Sequence, residues 1–135
     1  MEFAYLNDSY VLSGFYEEAD GSINIAKNLG KYESEVVYIH EAQHRKCHLS
    51  KCKCWNRGTN YLAEYHAYQA ELREVFGRRN RMLATAWLKS TKESVLIHEA
   101  DPKFYRDNAR ALNRVMRTGA YKDFLQWYHD PTFIK

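Results

Sequence analysis

Residues 36–44 read Val36-Val37-Tyr38-Ile39-His40-Glu41-Ala42-Gln43-His44, and the rest of the chain is understood from them. From about Glu33 the apolar positions recur at a period of about 3.6, which predicts a helix running to about Cys47. Val36, Val37, His40, Glu41, His44 and His48 fall on one broad face of it. Residues four apart share a helix face, so His40 and His44 can aim ring nitrogens at one point. Zinc accepts neutral imidazole at about 2.0–2.1 Å in that arrangement. Glu41, one residue along, is poorly placed to join the same coordination sphere. It is well placed to take a proton from a water held at an open metal position.

Upstream of this helix the period changes to 2. Tyr10 to Glu17 is rich in aromatic and β-branched residues and predicts a strand, with Asn7-Asp8-Ser9 as a turn before it. Ala19-Asp20-Gly21-Ser22 predicts a hairpin turn, because Asp-Gly readily takes the positive φ that a tight turn needs. Ile23-Asn24-Ile25-Ala26 alternates as a second strand, and Asn28-Leu29-Gly30 ends it.

Downstream, a second helix is expected after Thr59 or Asn60 as cap, carrying Leu62, Ala63, Tyr65, Ala67, Tyr68, Ala70, Leu72 and Phe76 and stopping at Gly77. A third is expected over about 81–98, broken near Ser90-Thr91. Asp101-Pro102 marks the start of a fourth, over about 102–117, with Phe104, Tyr105, Ala109, Leu112, Val115 and Met116 inward. A short fifth covers about 120–129. The fold class is therefore α+β: a small N-terminal β-hairpin or sheet followed by a helical bundle that carries the His-Glu-x-x-His helix.

Composition agrees with one globular domain spanning 1–135: hydrophobic residues make up 45% and aromatics 15% of 135 residues. Eleven tyrosines suit a surface or groove with wet hydroxyls. The net charge of +3 is too small to demand a nucleic acid. No stretch approaches the roughly 20 apolar residues of a membrane span. The first residues lack the basic-then-apolar order of a secretory signal, and the three cysteines close no complete disulfide framework. These features predict a cytoplasmic protein with reduced thiols.

A catalytic zinc usually keeps three protein ligands and one open position. His48, Glu64, His66 and Glu71 are the candidates for the third. His48 lies about 12 Å along the helix from His40, too far to share one ion comfortably. Glu64 opens the second helix after a loop long enough to bring it back beside the first, and Ala67 is small enough for the helices to pack closely. Glu71, two turns on, is suited to accept a ring N–H from a ligand histidine. Tyr61, Tyr65, His66 and Tyr68 are candidate donors to an oxyanion.

The order Gly14-Phe15-Tyr16, turn, Ile23-Asn24-Ile25, His40-Glu41-Ala42-Gln43-His44 and Glu64-Tyr65-His66-Ala67-Tyr68 resembles a minimal gluzincin. These are compact zinc metallopeptidase domains of bacteria and phages, and the resemblance covers about residues 10–75. It implies a zincin-like fold, zinc as cofactor, His40, His44 and Glu64 as ligands and Glu41 as general base. It also implies that Ile23, Asn24, Ile25 and Ala26 form the edge that an extended peptide or protein substrate joins. Arg45-Lys46 depart from the family pattern, which has an uncharged and then an apolar residue after the second histidine. They point to a shorter, more exposed helix or to a cleft shaped for an acidic partner.

Two further clusters stand out. Cys47, His48, Cys52 and Cys54 gather three thiols and an imidazole within eight residues, a candidate second metal site without the paired Cys-x-x-Cys spacing of a zinc knuckle. Arg73, Arg78, Arg79, Arg81 and Lys89 can form a phosphate-binding stripe, or simply a solvated face. Against the hydrolase reading stands a non-catalytic module, zinc-stabilised and binding protein or nucleic acid. Glu41 separates the two, because a purely structural site has no use for a base beside an open position.

Overall fold

The computed structural model describes residues 5–6, 10–11, 14–51, 61–100, 102–130 and 132, with side chains from residue 14 onward except over 97–105. Its strands are short. β1 (Tyr5–Leu6) pairs antiparallel with β2 (Tyr10–Val11), and β3 (Gly14–Tyr16) pairs antiparallel with β4 (Ile23–Ile25). The strand expected over Tyr10–Glu17 is thus divided between two small sheets, and the turn expected at Asn7–Ser9 lies outside the described residues. The second hairpin closes as its sequence demands. Gly21 takes a φ of 74°, Asp20 Oδ1 accepts from Ser22 N at 2.9 Å, and Glu17 N donates to Ser22 O at 2.9 Å.

Five helices follow among the described residues: α1 (Lys31–Leu49), α2 (Tyr61–Arg78), α3 (Arg81–Ala100), α4 (Pro102–Val115) and α5 (Gly119–His129). α1 carries Glu33 in its first turn and Lys46 in its last, each charge complementing the helix dipole. The caps expected for α2 at Thr59 or Asn60 fall outside the described residues. Gly77 does not end α2: the helix runs on to Arg78, and Arg79 takes the left-handed conformation (φ 54°) that closes it. Asn80 then caps α3, its Oδ1 accepting from Met82 N at 2.9 Å and Leu83 N at 3.1 Å.

α3 is not broken at Ser90-Thr91. Thr91 hydrogen-bonds its hydroxyl back to Leu88 O at 2.9 Å, which satisfies the polar side chain within the helix. α4 stops at Val115, two residues short of the expected end, because Thr118 turns the chain and caps α5 through Tyr121 N.

The core lies where α2, α3, α4 and α5 meet, around Trp87, Phe124, Leu83, Leu112, Val75 and Val115, all fully buried. α1 packs on α2 and α3 and also carries the β3–β4 hairpin. Tyr16 OH lies 2.8 Å from His48 Nδ1, fastening β3 to the last turn of α1. Arg45, the charged residue after the second histidine, reaches the Gly21 carbonyl at 3.5 Å and so ties the hairpin turn to the same helix.

Candidate metal centre

His40 and His44 project from α1 toward α2, with ring centroids 4.7 Å apart and planes nearly perpendicular. Glu64, in the first turn of α2, meets both: Oε2 lies 2.9 Å from His40 Nε2 and Oε1 lies 2.9 Å from His44 Nε2. Ala67, wholly buried, lets the two helices approach this closely. One ligand atom from each of the three residues falls within 4.8 Å of the others, so the group can hold a metal ion. Two imidazole nitrogens and a carboxylate are also the donor types that borderline divalent ions accept.

Glu71, two turns after Glu64, faces the other side of the first ring. Its Oε2 contacts His40 Nδ1, while its Oε1 accepts from Trp87 Nε1 at 3.1 Å. Burial opposes charging the His40 ring, yet Glu64 and Glu71 together outweigh it and hold its pKa well above the ordinary value of 6.5. Burial also favours the neutral acid at Glu64, but His40 and His44 hold that carboxyl well below the usual carboxylate range.

Glu41 lines a cavity of about 130 Å³ together with His40, Glu71, Tyr68, Gly14 and Ser94. Its own burial raises its pKa, against the nearby histidines. Tyr68 packs edge-on to His40, centroids 4.9 Å apart, and its hydroxyl bonds to Ser94. Burial, reinforced by Glu64, Glu71 and Glu41, pushes the Tyr68 pKa well above 10.0, so its hydroxyl keeps its proton.

The other expected site residues lie elsewhere. Tyr65 and Tyr61 stack on each other and face α4, where Arg114 and Arg110 cover their rings, and His66 lies beside Tyr65. Helical spacing accounts for this: Glu64, Tyr68 and Glu71 share one face of α2, and residues 61 and 65 belong to the next. Of the two hairpin strands, β3 lines the cavity through Gly14, whereas Ile23, Asn24, Ile25 and Ala26 are not part of its wall. A side chain on Gly14 would run into Val37 and approach the Asn24 carbonyl to 2.8 Å, so only glycine brings backbone this close to Glu41.

In the cysteine cluster, Cys47 is buried and accepts from Gln43 Nε2 at 3.4 Å, while His48 is engaged by Tyr16. Cys52 and Cys54 lie outside the described residues. Trp87, Ser90 and Ser94 of α3 join the site with no motif to announce them, since they lie far along the chain and only helix packing brings them in.

No known protein family, curated protein or solved structure matches this chain.

Proposed function

We propose that this protein is a zinc-dependent metallopeptidase of the minimal gluzincin type, with a zincin-like fold. The observation that carries the reading is the convergence of His40, His44 and Glu64 from two helices, with Glu41 on the wall of the adjoining cavity. His40, His44 and Glu64 would hold the ion. Zinc bound there supplies Lewis acidity, polarising a carbonyl and making a water acidic near neutral pH.

The protein's own groups divide the remaining work. Glu41 takes the proton from the attacking water and hands it to the leaving amine, and its burial makes it a stronger base than a surface glutamate. Tyr68, kept protonated, is the donor available to a developing oxyanion. Glu71 fixes the His40 ring. Gly14, Val36 and Val37 form the apolar part of the wall and limit water in the cavity. The substrate class is a peptide or protein.

The test is metal analysis after exhaustive dialysis together with cleavage of a mixed peptide library. Wild type should carry one zinc and cleave. Glu64→Ala should lose the metal, and Glu41→Gln should keep it while cleaving roughly 10²–10⁴-fold more slowly. Stoichiometric zinc without cleavage in the wild type would assign the site to a structural module instead.

A further inference from the structure

Positive charge is concentrated on one part of the molecule. Residues 102–117 carry Lys103, Arg106, Arg110, Arg114 and Arg117 against Asp107 alone, a net of +4 where the whole chain has +3. The remainder of the chain is therefore close to neutral. Arg106, Arg110 and Arg114 recur every four residues along α4, Arg117 follows in the next turn, and all four are exposed. The stripe spans about 16 Å of helix. None of the four forms an ion pair among the described residues, whereas Arg78 pairs with Glu35 and Glu74, and Lys89 with Glu33.

Two of these arginines are held in place by aromatic rings of α2. Arg110 lies over Tyr61 at 4.8 Å, and Arg114 lies over Tyr65 at 4.0 Å while donating to Tyr61 OH at 3.2 Å. Fixing a guanidinium on a ring removes rotamer freedom that binding would otherwise have to remove. Further along the α2–α4 seam a groove of about 350 Å³ opens, with half-buried Phe76 as its apolar floor and Gln69, Arg73 and Arg79 as polar rim. No acidic residue lines it. Arg79 is itself stacked on Phe76, 4.1 Å from the ring centroid.

We propose that the α2–α4 face binds single-stranded nucleic acid, with phosphates on the arginines and a base in the groove. The stripe is almost entirely arginine, whose planar fork matches phosphate oxygens bidentately. A cationic track beside an apolar slot is what a single strand requires, since its bases are free to leave the stack. A duplex would place phosphates on the stripe and leave the floor uncovered. An anionic membrane would require exposed apolar residues beside the charges, and Leu112 and Val115 of α4 are turned into the core.

The full-length protein is titrated into a fluorescein-labelled 15-mer oligothymidylate, and anisotropy is read at rising KCl. Binding should weaken with salt, log K falling by about 0.7 per log unit for each phosphate engaged. The Arg110→Gln/Arg114→Gln pair should bind at least 10-fold more weakly, with a shallower salt slope, and Arg73→Gln/Arg79→Gln should weaken binding as well. If either pair alters the circular dichroism melt, Arg106→Gln/Arg117→Gln serves instead, since neither arginine rests on a ring among the described residues. Absence of binding at the lowest salt would overturn the proposal, as would undiminished binding by the variants. Tighter binding to duplex, to polyglutamate or to anionic vesicles would overturn it in favour of that partner.

Discussion

Trp87 and Glu71 join the hydrophobic core to the candidate metal centre through one hydrogen bond, indole Nε1 to carboxylate Oε1 at 3.1 Å. Trp87 is fully buried, with Phe124 against its ring at 5.1 Å, so the donor is fixed by packing. The other oxygen of Glu71 holds His40. The orientation of the His40 ring is thus set by the core two elements away. Glu71→Gln should lower zinc affinity about 10–100-fold, the usual cost of losing an outer partner of a ligand histidine. Trp87→Phe, which keeps most of the volume and removes the donor, should move affinity in the same direction by less. Competition against a chelator measures both, and unchanged affinity in Glu71→Gln would detach this residue from the metal.

Zinc uptake should release protons. In the metal-free protein both nitrogens of His40 face carboxylates, Nε2 toward Glu64 at 2.9 Å and Nδ1 toward Glu71, an arrangement that favours the doubly protonated ring and raises its pKa well above 6.5. Coordination through Nε2 requires that proton to leave. Calorimetric titration at pH 7 in buffers of different ionisation enthalpy should report close to one proton released per zinc, and none released would mean that His40 is neutral before binding.

The same ring makes the metal-free protein sensitive to pH. Because the folded pKa of His40 lies well above 6.5, its contribution to stability is complete below that value and is lost as pH rises through the folded pKa. Denaturant melts of chelator-treated protein should therefore show this contribution fading on the alkaline side, and His40→Gln should abolish that dependence.

Gly14 admits no side chain. Gly14→Ala would set a Cβ into Val37 and against the backbone of Asn24, which has no flexible end to move aside. A loss of about 1–3 kcal/mol is expected, read as a lowered melting temperature. An unchanged melt would mean that the β3–β4 hairpin can lift away from α1.

Thr118 should matter through its cap. Its hydroxyl accepts from Tyr121 N at 3.3 Å at the start of α5, the helix that delivers Phe124 and Trp127 to the core. Thr118→Ala should cost about 1 kcal/mol, and Thr118→Ser should restore it. Equal stability of the two variants would remove the cap from the account.

The local spacing in the sequence is enough to put His40 and His44 on one helix face, to place Asp20-Gly21 in a turn and to start α4 at Pro102, because each depends on residues a few positions apart. It also makes Glu64 a candidate partner for the two histidines. It does not place Gly14, Trp87 and Ser94 at the cavity, turn Tyr65 away toward Arg114, or continue α2 past Gly77. Those outcomes depend on which faces of α1, α2 and α3 meet, and helical phase leaves that open until the core around Trp87 and Phe124 has packed. The charge on α4 shows the same division. The arginines can be counted along the chain, but the net charge of +3 conceals their grouping, and only the packing of α4 on α2 seats two of them on tyrosine rings beside an apolar groove.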